Sequence, residues 1–204
     1  MIEDFLANLK NSRLLTAAQP ADVEHEFGPA VAQGLEVRRM AEEVPVFGVA
    51  FGADNQTLAV GTGSGAATYL RVWNVTHESR PTSKTWKGFA DAISSVDISP
   101  DGTRVLACGN PIKLIDRKRG SESTMTVERP TSLRYSPDGK TVAGHFWDHL
   151  QIWSANSFTE QRSISGGPAH DVAFTTDGRH VVTANANGTL YIIRLEERSA
   201  KSPD

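Results

Sequence analysis

Ser95-Val-Asp-Ile-Ser-Pro-Asp-Gly-Thr-Arg-Val-Leu-Ala-Cys108 decides the fold. Val96 and Ile98 alternate with polar neighbours, which puts both side chains on one face of a strand. Ser99-Pro-Asp-Gly102 then interrupts the chain, and Asp-Gly between apolar alternations marks a hairpin. Val105 opens a second strand of aliphatic and small residues. The same phrase returns three more times. Its turns are Asp54-Asn55, Asp101-Gly102, Asp138-Gly139 and Asp177-Gly178, and successive aspartates lie 47, 37 and 39 residues apart. A period near forty signals a supersecondary unit repeated in a stack or a ring.

Alignment on the turn brings out the rest of the unit. Ahead of it stand Val49 and Phe51, Val96 and Ile98, Leu133 and Tyr135, Val172 and Phe174. Behind it stand Leu58, Val105, Val142 and Val181, followed by small residues that include Ala59, Ala107, Ala143 and Ala184. A third strand reads Leu70-Arg-Val-Trp73, Ile112-Lys-Leu-Ile115, Leu150-Gln-Ile-Trp153 and Leu190-Tyr-Ile-Ile193. Weaker extended segments come after it at Thr85–Lys87, Thr124–Val127 and Arg162–Ile164, and one at Leu35–Met40 precedes the first copy. Each unit therefore reads as four antiparallel strands. The fourth is the most polar, which suits the outer edge of a radial array.

These phrases resemble the WD40 repeat family of β-propellers. Ser99-Pro-Asp-Gly102 and Ser136-Pro-Asp-Gly139 match its turn, and Val72-Trp73-Asn74 and Ile152-Trp153-Ser154 match the end of its third strand. The likeness covers about residues 34–195. It departs from the family where the Gly-His pair ahead of the first strand is missing and where Ile115 and Ile193 replace Trp. The family's Asp in the second hairpin has a counterpart only at Asp148, with Asn187 a polar substitute. The resemblance thus implies blades packed by aliphatic residues rather than by an Asp–His network. It also implies an all-β fold of four propeller blades. The chain enters the repeats through a fourth strand and leaves through a third, the offset by which the family closes its rings. Four blades is the low end for propellers, so an incomplete propeller, or one shared between two chains as a homodimer, is expected ahead of a tight ring.

Residues 1–33 read as a short helical segment. Ile2, Phe5, Leu6 and Leu9 form an i, i+3, i+4, i+7 stripe. Pro20 interrupts a second short helix, and Gly34 stops a third. The domain plan is a helical segment over 1–33, repeats over 34–195 and a flexible tail over 196–204. The net charge of −3 supplies no basic excess for phosphate binding, which argues against nucleic acid. No run approaches the roughly 20 apolar residues of a membrane helix. With one cysteine, Cys108, and no secretory leader, a cytoplasmic location is expected.

Several motifs suggest chemistry. Gly61-Thr-Gly-Ser-Gly-Ala66 follows a strand as a dinucleotide loop does, yet an alternating strand comes next where that motif requires a helix. Gly139-Lys140-Thr141 copies the end of a phosphate loop but sits in the repeated hairpin. His145, Asp148 and His149 resemble a metal cluster and flank a turn, so further ligands would have to come from elsewhere. His170-Asp171 lies in a strand, where neighbouring side chains point to opposite faces. No nucleophile elbow, paired-carboxylate spacing or kinase signature occurs.

The expected function is therefore a non-enzymatic scaffold without a cofactor or metal, binding a protein or peptide through loops on the blade rims. The candidate contact residues are Tyr69, Arg117, Lys118, Arg119, Trp147 and His149, because exposed aromatics and arginines anchor interfaces. Two alternatives stand beside it: a propeller enzyme or metal-binding protein, and the regulatory part of a bacterial Ser/Thr kinase system.

Overall fold

The computed structural model describes residues 42–76, 82–125 and 130–195. The helical segment expected over 1–33, the strand at Leu35–Met40 and the tail over 196–204 lie outside them. Four antiparallel sheets follow one another along the chain. The first holds β1 (Val46–Phe51), β2 (Thr57–Thr62), β3 (Leu70–Asn74) and β4 (Thr82–Trp86). The second holds β5 (Ser95–Ile98), β6 (Arg104–Cys108), β7 (Ile112–Asp116) and β8 (Glu122–Met125). The third holds β9 (Ser132–Tyr135), β10 (Thr141–His145), β11 (His149–Ser154) and β12 (Glu160–Ser165). The fourth has three strands, β13 (Ala169–Phe174), β14 (His180–Asn185) and β15 (Leu190–Arg194). β1 lies against β5, β5 against β9, and β9 against β13. Each sheet is thus a blade whose first strand is innermost, the arrangement of a β-propeller. Among the described residues no helix is long and apolar enough to cross a membrane.

The repeated turn has one construction throughout. The N–H of Gly102 donates to the Ser99 carbonyl at 2.7 Å, and Gly139 and Gly178 do the same to Ser136 and Thr175. All three glycines are left-handed, with φ of 68 or 69°. Asn55 fills the same position in the first blade with φ 53°, which Asn tolerates better than other side chains. Asp54-Asn55 therefore works as an Asp-Gly turn.

The turn sets the register. Phe51 faces Leu58, Ile98 faces Val105, Tyr135 faces Val142, and Phe174 faces Val181. Apolar residues on the two faces of each blade then meet the neighbouring blades. Ala59, Leu70 and Val72 of blade one share a core with Val96, Ile98, Val105 and Ile115 of blade two. Leu106, Cys108 and Ile112 of blade two pack with Leu133, Tyr135, Val142 and Trp153 of blade three. Ala143, Leu150 and Ile152 of blade three pack with Val172 and Val181 of blade four. Ile115 is fully buried, so aliphatic packing does replace the missing Trp there.

Candidate interaction surface

Because the strands alternate in direction, each blade has two ends. The Asp-Gly turns and the loops after β3, β7 and β11 share one rim. The loops joining β2 to β3, β6 to β7 and β10 to β11 share the other. The six candidate residues divide accordingly. Arg117, Lys118 and Arg119 follow β7 on the turn rim, whereas Tyr69, Trp147 and His149 belong to the opposite rim. They do not form one surface.

On the turn rim, Arg117 ties two blades together. Its guanidinium donates to the Gly102 carbonyl and, at 2.8 Å, to the Thr57 hydroxyl. That hydroxyl donates in turn to the Asp54 carboxylate at 2.6 Å. Burial alone would raise the Asp54 pKa, but the Thr57 hydroxyl and the N–H groups of Gln56 and Thr57 outweigh it and hold the carboxyl below its ordinary value. Beside this bridge lies a cleft of about 500 Å³ lined by Asp54, Pro100, Asp101, Thr103, Arg117 and Lys118. Lys118 and Arg119 are exposed. Arg119 stands 4.0 Å from Asp116, a surface ion pair of little energetic weight.

On the opposite rim, Trp147 is 77% exposed. Its loop is held from beneath. Phe146 is buried and stacks on His149 with centroids 4.5 Å apart and planes 6° from parallel. The Asp148 carboxylate bonds the His149 Nδ1 at 2.6 Å, which holds the Asp148 carboxyl below its ordinary value. His145 is buried in β10, where desolvation lowers its pKa. Among the described residues no three His, Cys, Asp or Glu side chains come together as a metal site.

Tyr69 departs from expectation. It is buried rather than presented on a loop, and its hydroxyl donates to Glu42 at 2.8 Å. Burial raises its pKa, and the bond to Glu42 adds to the rise. The same Glu42 carboxylate receives Arg71 at 2.6 Å and the Trp73 indole N–H at 3.1 Å. Sequence reasoning missed Glu42. Its partners lie 27 to 31 residues away, so no local pattern marks it. The glycine loop at 61–66 ends β2 and continues into a 3-10 turn at Gly65–Ala67 within a hairpin, without a phosphate-binding helix. His170 sits in the bulge between Ala169 and Asp171. Cys108 is buried, with its thiol 3.1 Å from the Pro130 carbonyl.

The four sheets around their first strands define the class: a chain of β-propeller blades. More particularly, residues 81–110 match the family model described as "WD domain, G-beta repeat", so the WD40 resemblance holds. That stretch runs from β4 through β6, which shows that the sequence repeat is out of phase with the blade. No curated protein matches the sequence. Among solved structures, a chain of the "Crystal Structure of Mitotic Checkpoint Complex" is similar with a TM-score of 0.66 and 25% identity, over 78% of this chain and 51% of that one. A chain of "Kuenenia stuttgartiensis Hydrazine Synthase" is similar with a TM-score of 0.64 and 19% identity, over 78% and 49%; this second likeness concerns the fold alone. The chain spans about half the length of either.

Proposed function

We propose that this chain is a non-catalytic scaffold that binds protein or peptide partners, a second copy of itself among them, in a reducing compartment such as the cytoplasm. The observation that carries the reading is Trp147. A large aromatic side chain stands 77% exposed on a loop whose base is fixed by the Phe146–His149 stack and the Asp148–His149 bond. An aromatic anchor on a pre-ordered loop loses little freedom on binding and dominates interface energy. The similar chain from a checkpoint complex comes from a protein assembly, which supports a partner-binding role by analogy of fold.

The test is selection of peptides from a random display library against the purified chain. Binders are expected to lose at least about tenfold in affinity to the Trp147→Ala variant, the usual consequence of truncating an aromatic hot spot. Because Trp147 is exposed, the variant should melt with the parent. Binders that ignore Trp147, or no binders at all, would contradict the reading.

A further inference from the structure

The two ends of the blade series carry apolar faces that the interior blades bury. At the position of Val49 and Phe51 in β1, the later blades place Val96 and Ile98, Leu133 and Tyr135, and Val172 and Phe174. Val96, Ile98, Leu133, Tyr135 and Val172 are all at most 7% exposed, because the preceding blade covers them. Val49 is 65% exposed and Phe51 55%. The other face shows the mirror of this. Leu70 and Val72 in β3, and Leu150 and Ile152 in β11, are buried against the following blade. Their counterparts in β15, Leu190 and Ile192, are 64% and 66% exposed. Farther out on the Val49 and Phe51 face of blade one, Val60 and Trp73 are buried, and Glu42 bonds the Trp73 indole, so the open part of that face is the inner strand. That open part and the open face of blade four are exposed at once, so they do not cover each other within one chain.

The two faces are complementary in kind. Blade four presents the face that blades one to three insert into a successor, and blade one presents the face that blades two to four offer a predecessor. The geometry points to a second copy of this chain as the occupant, with blade four of each copy packed on blade one of the other. A two-fold axis makes both junctions identical and closes the assembly. Each junction reproduces a contact the chain already makes three times between its own blades. The size agrees: 78% of this chain aligns with 51% and 49% of the two similar chains, so two such stretches match the length of one of them. Burial also removes exposed patches of aliphatic and aromatic side chains that a lone soluble body seldom tolerates. The inference rests on the scaffold reading and names one partner for it.

Charge exchange across the junction tests it, read by sedimentation velocity on the whole chain. The unaltered chain is expected at twice 22.1 kDa. Val49→Lys alone, and Ile192→Glu alone, place an unpaired charge in both junctions and should weaken the dimer by at least about tenfold. Mixed in equal amounts, the two variants should recover a dimer, because it has one unaltered junction and one Lys–Glu pair. Leu190→Glu is a second probe of the same face. An unaltered chain that sediments as a monomer overturns the proposal and assigns the faces to residues outside 42–195 or to another protein. So does a dimer indifferent to both charges, or a mixture that stays monomeric. Trp147→Ala should leave the mass unchanged, so peptide binding can fail or succeed independently of this outcome.

Discussion

Asp101 shows how one side chain fixes a hairpin. Its carboxylate accepts from the Ser99 hydroxyl at 2.6 Å and from the Thr103 N–H at 3.0 Å. The Ser99 hydroxyl and then the Thr103 N–H hold its pKa down at about 2, against an ordinary 3.8. Burial alone would raise the Asp138 pKa, but the Ser136 hydroxyl and the Lys140 N–H outweigh it and hold the carboxyl below its ordinary value, and the Thr175 hydroxyl and then the Arg179 N–H lower that of Asp177. A carboxylate with a depressed folded pKa stabilises the fold above its unfolded value, and the gain is lost as pH falls through the folded value. Stability should therefore decline from about pH 4 towards pH 2. Asp97 acts in the opposite sense, since burial raises its pKa despite the N–H donors of Tyr135 and Ile98, so protonating it favours the folded state. Asp101→Ala should lower stability near neutrality by about 1 kcal/mol and flatten the acid decline, measured by urea midpoints across that pH range. An unchanged acid profile would show that the turn carboxylates do not control it.

Glu42 acts on a larger unit, joining the lead-in to β1 to three residues at β3. Its side chain is 4% exposed and pairs with Arg71, which also lies 4.7 Å over the Tyr69 ring. Glu42→Ala leaves a half-buried guanidinium without its carboxylate and should cost about 3 kcal/mol in denaturant unfolding. A loss below about 0.5 kcal/mol, the range of ordinary surface changes, would mean the contact is idle. Glu42 also shows what sequence patterns cannot display. The strands were legible because alternation and turn chemistry are local: Val96 and Ile98 announce β5, and the polar residues of β4, β8 and β12 announce outer edges. Tyr69 enters the candidate contacts as an exposed loop aromatic, whereas it is buried and its hydroxyl is bonded to a carboxylate 27 residues away. The division of the candidate residues between two rims was likewise unreadable from residue types. It comes from strand direction, which decides at which end of a blade each loop emerges.

For the whole molecule, the decisive quantity is exposure at equivalent positions. Val49 and Val172 occupy the same place in their blades, yet one is 65% exposed and the other 1%. Nothing in the residue types distinguishes them, because the difference lies only in whether a blade precedes. If blades are stabilised by their neighbours, the end blades require neighbours as well. β15 adds to this requirement, since it is the last strand of a three-stranded blade and leaves a sheet edge unpaired among the described residues. The most direct measurement is the mass of the unaltered chain in solution by light scattering. Twice 22.1 kDa, constant on dilution through the micromolar range, is the predicted result. A stable 22.1 kDa monomer, or a series that grows without closing, would contradict the shared propeller.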